Sequence, residues 1–174
     1  MIYIYNCYAG THSSALAAAY HLNKLPKDRL PTKEEILGID IFNKLTPKDM
    51  GRIIYHGMDE NGDKVYTFGR SNSKVVMPAL TNLLTMMNGN EKLKDKVIFS
   101  NASPTVPLAM TFGGLFSRRL HIDFIGVPLL VKGAKQTYGN IISLVERTKK
   151  LGKTQMNLVE VLDNKDLEVN KTFS

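Results

Sequence analysis

Apolar, β-branched segments alternate with helix-forming segments along the chain, and this alternation limits the possible folds more than any other feature. The first unit is short: residues 2–6 (IYIYN) have the composition of a buried strand, and residues 13–24 (SSALAAAYHLNK) form an alanine-rich helix pattern. A strand pattern followed by a helix pattern occurs twice more. The strand patterns are residues 96–101 and 121–126, and the helix patterns that follow them are residues 105–119 and 138–150. Strands separated by helices are typical of an α/β protein with a mostly parallel sheet.

One pair of predicted strands interrupts the alternation. Residues 52–58 and 64–69 flank Asn61-Gly62, a dipeptide typical of tight β-hairpin turns. The remaining helical patterns lie at residues 32–38, 46–51 and 73–88, the last of them ended by Gly89. We therefore predict a three-layer α/β sandwich with a mostly parallel, Rossmann-like sheet and an inserted β-hairpin.

The chain is predicted to form one domain with a C-terminal extension. Its 174 residues are enough for a sizeable core, and no linker long enough to separate two domains is present. Residues 1–150 are the single α/β domain, whereas residues 151–174 are polar and form either an added edge strand or a frayed tail. Within the domain, residues 126–139 (GVPLLVKGAKQTYG) are predicted as a glycine-punctuated loop.

Composition and charge restrict the location and the partners of the protein. Hydrophobic residues make up 43% and charged residues 22%, no run of about 18 apolar residues exists, and no signal-peptide pattern is seen, so we expect a cytoplasmic protein without membrane contact. The net charge of +7 favours an anionic partner. Nucleic acid ranks low because no nucleic-acid-binding motif is present. A homodimer is left open, since small α/β proteins often dimerise.

The loop after the first predicted strand has the properties of an anion-binding site. In a parallel α/β sheet, ligands bind at the carboxyl ends of strands, and the helix that follows directs its free N–H groups to the same place. A glycine lets the backbone approach a ligand closely, and hydroxyl groups surround it. The predicted ligand-binding residues of this loop are Ala9, Gly10, Thr11, His12, Ser13 and Ser14.

Cys7, the only cysteine, stands at the start of this loop. One cysteine forms no internal disulfide and supplies no metal-ligand set, and we predict neither a metal nor a cofactor. Cys7 is either a packed small hydrophobe, which is the commoner case, or a nucleophile, because a helix N-terminus favours the thiolate. For the nucleophile, His12 is the candidate acid/base; otherwise it is a capping or surface histidine.

Residues 7–14 match three known loop types to different degrees. The P-loop of nucleoside triphosphatases needs a first glycine and a lysine, but this chain has Tyr5 and Thr11 at those positions. The phosphatase loop C-x5-R-[ST] matches Cys7 and Ser14, but Ser13 replaces the arginine that clamps phosphate. The loop is most similar to the C-x-x-G-x-S-[ST]-S loop of phosphotransferase-system IIB components of the lactose/cellobiose type, in which the cysteine carries phosphate on backbone amides.

Four further residues are candidates for contacting the same ligand. The segment SNASPTVP at residues 100–107 follows a later strand, so Asn101 and Ser103 are expected at the same sheet edge, with helix capping as the alternative. Arg70 is suited to gripping phosphate, and Lys132 to closing over a ligand. The alternative for both Arg70 and Lys132 is a solvated surface charge, which is the commoner role of arginine and lysine in proteins.

Several motifs of the chain resemble those of one family. They are CYAGTHSS at residues 7–14, LPKDRLPT at 25–32, GRI and GMDENG within 51–62, and SRRL at 117–120. Together they are similar to an uncharacterised family of spore-forming bacteria and their relatives, domain-of-unknown-function family 3189, over roughly residues 1–150. Asn6 and Ala9 stand where members often have His and Gly. The family has no assigned activity, so the resemblance implies no substrate.

The predicted function is that of a binding protein for a phosphorylated or nucleotide-like small molecule, with the anion held on residues 7–14. The alternative is a phosphoryl-transfer or phosphate-ester hydrolytic enzyme with Cys7 as nucleophile and His12 as acid/base. A structural or regulatory protein with a vestigial loop is a third reading. The missing clamp arginine and P-loop lysine favour binding, and whether any turnover occurs is left open.

Overall fold

The computed structural model describes residues 1–88, 95–154 and 157–169, and these form an α/β fold. The strands are β1 (Ile2–Cys7), β2 (Ile54–Met58), β3 (Lys64–Gly69), β4 (Val97–Asn101) and β5 (Val159–Leu162). The α-helices within the described residues are α1 (Ser13–His21), α2 (Lys33–Leu37), α3 (Val76–Asn88), α4 (Leu108–Gly114), α5 (Asp123–Gln136) and α6 (Tyr138–Thr154). One π-helical turn, Leu115–Arg119, continues α4.

The five strands form one mostly parallel sheet with the order β2-β3-β1-β4-β5. Strand β1 pairs in parallel with both β3 and β4, and β4 pairs in parallel with β5. Strand β2 pairs antiparallel with β3, and this pairing shifts register between Tyr55 and Gly57. The carboxyl ends of the four parallel strands therefore meet at a single edge of the sheet.

The connections that leave β1 and β4 diverge at this edge. From β1 the chain continues to β2 and β3 on one side, whereas from β4 it continues to β5 on the other side. A crevice opens between neighbouring parallel strands whose connections run in opposite directions, and ligands bind there in open α/β sheets. Here the two strands end at Cys7 and Asn101.

Buried side chains cover both faces of β1, as the alternation of side chains along a strand requires. Tyr3 and Tyr5 belong to a large core cluster that includes the inner residues of α1, α5 and α6. Ile4 lies in a second cluster, which contains Phe68, Val97 and Phe99 and packs against the inner side of α3. Because β1 is buried on both faces, the loop that follows it is anchored in the core.

One local prediction, the capping box at residues 32–35, is confirmed. Thr32 and Glu35 form the predicted capping box at the start of α2, with Glu35 N donating to Thr32 Oγ1 at 3.2 Å and Thr32 N donating to Glu35 Oε2 at 2.7 Å. The C-terminal residues add β5 to the sheet edge. No described helix has the length and apolar character needed to cross a membrane. Gly89 and residues 170–174, to which the sequence predictions also refer, lie outside the described residues.

Two predictions about residues 121–139 are wrong. The sequence predicts a strand at 121–126 and a glycine-punctuated loop at 126–139, but Asp123–Gln136 form helix α5. Gly126 and Gly133 lie on its buried side, where an added Cβ would come within 2.5 Å of Ser117 N and 2.7 Å of Met110 N. These glycines are therefore small residues of a close helix–helix contact.

Candidate functional site

The sulfur of Cys7 is hydrogen-bonded to two groups of the segment that follows it. The Gly10 amide donates to Sγ at 3.2 Å, and Ser14 Oγ lies 3.2 Å from the same sulfur, in a hydrogen bond for which either atom can be the donor. Cys7 is only 4% exposed. The loop thus folds back over the thiol and joins the end of β1 to the first turn of α1.

Gly10 packs closely against the backbone at the end of β3. Its φ of +74° is in the left-handed region, and a Cβ there would lie 2.5 Å from the amide nitrogen of Gly69 at the end of β3. A Cβ on Gly69 would in turn lie 2.6 Å from the carbonyl carbon of Ala9. The glycine that the sequence assigns to ligand approach is therefore required by the packing of the loop on β3.

The N-terminus of α1 is buried without a cap from the chain. His12 occupies the N-cap position but makes no side-chain capping bond, and the first turn holds no acidic residue. Among the described residues, no acceptor is found for the backbone amides of residues 11–15. Ser13 and Ser14 are fully buried, and within the same part of the chain Ser13 Oγ has no hydrogen-bond partner. Several donors therefore converge at this helix end without acceptors.

Thr11 holds a neighbouring segment in place. Its Oγ1 donates to the carbonyl of Ile41 and accepts from the Lys44 amide at 3.2 Å, while its carbonyl accepts from the Asn43 amide at 3.2 Å. The hydroxyl of Thr11 is thus engaged within the chain.

The contacts of His12 lead away from Cys7. His12 Nε2 lies 3.3 Å from Asn43 Oδ1, the ring meets Phe42 edge-on at 5.5 Å between centroids, and Gly114 lies against its Cε1 atom. Burial lowers the pKa of His12 from 6.5 to about 4, and the charge of Arg118 contributes to the same shift. His12 is therefore neutral at pH 7 and packed between elements.

Arg70 lies directly after β3 and contacts the ends of both β1 and β4. Its amide donates to the Cys7 carbonyl at 3.0 Å, its Nε donates to Asn6 Oδ1 at 3.0 Å, and its Nη2 lies 3.4 Å from Asn101 Oδ1. The Ser103 amide donates to the same Asn101 oxygen at 3.0 Å. The structure thus brings Arg70, Asn101 and Ser103 together beside the loop of residues 7–14.

Sequence reasoning missed Asn6, which orients the arginine. Asn6 is 1% exposed and lies in a strand whose other residues are apolar or aromatic except for Cys7 at its end. Besides accepting from Arg70, it donates from Nδ2 to the Ser100 carbonyl at 3.2 Å. A buried amide side chain inside an apolar strand was the signal that could have identified it, because such a group requires partners.

Lys132 lies in a different environment. It is exposed on α5 and lines an open cavity of about 590 Å³ together with Lys33, Lys135 and neighbouring residues. A second cavity of about 190 Å³ lies beside Ala15 and Ala19 of α1 and includes His56. No residue of 7–14 lines either of these two cavities. Within the described residues no cluster of three or more metal-binding side chains occurs.

A family model described as "Protein of unknown function (DUF3189)" matches residues 2–150 of the 174-residue chain. The match includes the loop of residues 7–14, Arg70 and Asn101, and it ends within α6, before β5. It confirms the resemblance predicted from the motifs. No curated protein and no solved structure matches the chain significantly.

Proposed function

The chain belongs to the DUF3189 family, whose description assigns no activity, and we propose that it binds a phosphorylated or nucleotide-like small molecule with the anion on residues 7–14. The observation that carries the proposal is the buried, uncapped N-terminus of α1 with the unpartnered hydroxyl of Ser13 beside it. A buried donor without an acceptor costs about 1–3 kcal/mol, so a ligand that supplies several acceptors is strongly favoured at this place.

The helix end itself supports a negatively charged ligand. The positive end of a helix dipole attracts anions, and α1 has no acidic residue in its first turn to offset that charge. A phosphate group offers oxygens in several directions and can accept from consecutive amides of residues 11–15 and from Ser13 Oγ. Such a group would also neutralise part of the net charge of +7.

Arg70 is the second anchor that we propose for the anion. Two of its N–H groups bond Asn6 and Asn101, which leaves three of the five donors of a guanidinium for a ligand. The phosphatase-type loop carries its clamping arginine inside the loop, where this chain has Ser13. Arg70 reaches the same edge of the sheet from β3, so the anion has a cationic partner although the loop lacks one.

A second candidate function is phosphoryl transfer or phosphate-ester hydrolysis at Cys7. The observation in its favour is the pair of hydrogen bonds from the Gly10 amide and Ser14 Oγ to the sulfur, which stabilise negative charge there. The contacts of His12 give this function little support, because they are made with Asn43 and Phe42 and none is described with Cys7. The enzyme therefore ranks second.

We also propose the finer architecture predicted from the sequence, a Rossmann-like three-layer sandwich with an inserted hairpin. It is supported by the two buried clusters on opposite faces of β1 and by the antiparallel pairing of β2 with β3. A cytoplasmic location is proposed as well, since the single free thiol of Cys7 suits a reducing compartment.

The proposal is tested first by native mass spectrometry of freshly purified protein, which is expected to reveal a co-purifying phosphorylated compound. Calorimetric titration with inorganic phosphate, nucleotides and sugar phosphates then measures affinity. Arg70→Gln is expected to weaken binding at least about tenfold, equivalent to about 1.4 kcal/mol. Arg147→Gln is the matched control, because Arg147 lies on the exposed surface and pairs with Asp166. Equal affinity in wild type and Arg70→Gln, or no binding of any phosphate compound, would contradict the proposal.

A further inference from the structure

A cavity of about 190 Å³, which we call the α1–α2 cavity, lies between α1, the end of α2 and strand β2. Its apolar wall consists of Ala15, Ala19, Leu22 and Ile39. The first three follow one face of α1 and its C-cap at the i, i+4, i+7 spacing, and the two alanines leave space that larger side chains would fill. No residue of 7–14 lines this cavity, so it is separate from the proposed anion site.

The volume of the α1–α2 cavity limits the size of a ligand. A cavity of about 150 Å³ admits benzene, whereas pockets for drug-sized molecules measure about 300–1,000 Å³. The volume of about 190 Å³ lies between these values and close to the smaller one. It therefore suits a molecule of about the size of an apolar amino acid and is too small for a nucleotide.

Four titratable side chains line the same cavity, and two of them carry opposite charges without a charged partner. Lys24 Nζ donates to the neutral carbonyl of His56 at 3.1 Å, and among the described residues neither Lys24 nor Asp40 forms an ion pair. Glu35 differs, because Arg29 donates to both of its carboxylate oxygens, at 2.9 and 2.6 Å. The charges of the cavity that a ligand can pair are thus one cation and one anion.

The fourth titratable side chain, His56, belongs to a β-bulge. The register of β2 with β3 shifts between Tyr55 and Gly57, which leaves His56 without a partner in the ladder, and Gly57 has a φ of +137°. Bulges redirect a side chain and are common beside functional sites. His56 Nε2 lies 2.9 Å from Thr67 Oγ1, which fixes the ring, while Nδ1 forms no hydrogen bond with the described residues.

The two unpaired charges both act on this imidazole. Burial is the main reason why the pKa of His56 falls to about 4; the charge of Lys24 lowers it further, and the charge of Asp40 raises it. A molecule that rests against the ring therefore meets a cation and an anion. A ligand with a single charge would pair with one of them and be repelled by the other, whereas a zwitterion pairs with both.

We propose that the α1–α2 cavity binds a zwitterion of amino-acid size with an apolar side chain, whose carboxylate pairs with Lys24 and whose ammonium group pairs with Asp40. The apolar wall covers the side chain of the ligand, and the imidazole of His56 lies against its polar end. This second site is independent of the anion site proposed for residues 7–14.

Nuclear magnetic resonance titration of the ¹⁵N-labelled full chain tests the proposal with L-valine, L-leucine, L-methionine and L-phenylalanine as probes. At least one probe is expected to shift the amide signals of Ala19 and Ile39 in a saturable manner. The tightest probe is then compared with its two analogues, the amine that lacks the carboxylate and the acid that lacks the ammonium group. Each analogue loses one ion pair and is expected to bind at least about tenfold more weakly than the amino acid.

Two variants at exposed positions assign the charges. Asp40→Asn is expected to weaken binding of the amino acid at least about tenfold and to remove its advantage over the acid analogue. Lys24→Gln is expected to weaken it similarly and to remove its advantage over the amine analogue. Lys150→Gln is the matched control, because Lys150 is an exposed lysine of α6 that does not line the cavity, and it is expected to bind like wild type. Circular dichroism verifies that each variant is folded.

Four results would overturn the proposal. They are the absence of a saturable shift with all four amino acids, equal affinity for the tightest amino acid and its two analogues, wild-type affinity in Asp40→Asn or Lys24→Gln, and an equal loss in Lys150→Gln and Lys24→Gln. A failure of phosphate compounds to bind residues 7–14 leaves each of these measurements unchanged, so the two proposals are tested separately.

Discussion

The groups around Cys7 are arranged so that they stabilise a negative charge. The Gly10 amide and the Ser14 hydroxyl contact its sulfur, and the uncapped end of α1 lies next to both. Two chemical outcomes follow from the same geometry, because the charge can belong to a bound anion or to a thiolate. A variant that keeps the shape of the site but weakens the nucleophile separates them.

Cys7→Ser is expected to lower the affinity for phosphate compounds by less than about tenfold, because serine keeps a similar volume and a polar atom at the same position. If Cys7 were a nucleophile, the variant would still bind but would lose turnover, since a serine hydroxyl without a strong base is far less reactive than a thiolate. The measurement is calorimetric affinity together with phosphate release from a panel of nucleotides and sugar phosphates. We expect no turnover in wild type or variant; wild-type turnover that disappears in Cys7→Ser would make the enzyme the better reading.

Gly10 is expected to be the most sensitive position of the loop to substitution. Gly10→Ala combines a strained left-handed φ with a Cβ 2.5 Å from a backbone nitrogen, so the free energy of unfolding should fall by about 2–4 kcal/mol. Gly62→Ala is the matched control: its φ is +78° but nothing lies within 4 Å of the added Cβ, and a loss of only about 1 kcal/mol is expected. Urea unfolding measures both, and equal losses would show that the contact with Gly69 is unimportant.

The sequence predicted the position of this candidate site better than the roles of its residues. A strand, a glycine and hydroxyl-rich loop and a helix placed residues 7–14 at the carboxyl edge correctly, because that order is a local property. The contacts of Thr11 with residues 41–44 and of His12 with Asn43 depend on segments distant in the chain. Local patterns carry no information about such contacts, and the same holds for the bonds that Asn6 forms with Arg70.

At the scale of elements, α5 shows where intrinsic propensity misleads. Pro128 and the glycines at 126 and 133 favour a loop by intrinsic propensity, yet these residues are helical in the structure. Tertiary packing outweighs propensity here, since Gly126 and Gly133 let α5 approach Ser117 and Met110 more closely than any larger residue would permit. The predicted helices α1, α2 and α6 were easier to identify, because the alanine-rich run of α1, the capping box of α2 and the apolar spacing of α6 each lie within one segment.

Replacing glycines in α5 and α6 by alanine should therefore have opposite effects. Gly126→Ala improves helix propensity but places Cβ 2.5 Å from Ser117 N, and a net destabilisation of about 1–3 kcal/mol is expected. Gly139→Ala, in the first turn of α6, meets nothing within 4 Å and should stabilise the protein by up to about 1 kcal/mol. Thermal and urea unfolding of both variants provide the comparison, and a stabilised Gly126→Ala would contradict the close-packing explanation.

For the molecule as a whole, three buried or half-buried histidines link stability to pH. His21 bonds Tyr5 OH at 2.7 Å and Asp59 Oδ2 at 3.1 Å, with the Lys149 ammonium 3.8 Å from the same carboxylate. His56 bonds Thr67 Oγ1 at 2.9 Å. Burial lowers the pKa of His21 despite Asp59, and it lowers the pKa values of His12 and His56 to about 4. All three histidines therefore favour the neutral form in the folded protein.

The direction of the resulting pH dependence follows from proton linkage. Between the folded and unfolded pKa values, the unfolded chain binds more protons than the folded chain, so stability is full above about pH 6.5 and declines as the pH falls toward 4. The pKa values of Glu35 and Asp49 are lowered to about 2 by hydrogen bonds, so these carboxylates contribute to the decline only at more acidic pH. The interval between about pH 6.5 and pH 5 is therefore governed by the histidines.

His56→Gln is expected to reduce this pH dependence. In wild type, a histidine whose pKa falls from 6.5 to about 4 on folding accounts for a loss of about 2 kcal/mol between neutral pH and pH 5. Glutamine retains a hydrogen-bonding side chain but does not titrate, so His56→Gln should lose less free energy of unfolding over that interval than wild type does. His121→Gln is the control, because His121 is exposed and should leave the slope unchanged. The measurement is urea unfolding at closely spaced pH values, and identical slopes in wild type and His56→Gln would show that His56 is not buried in its neutral form.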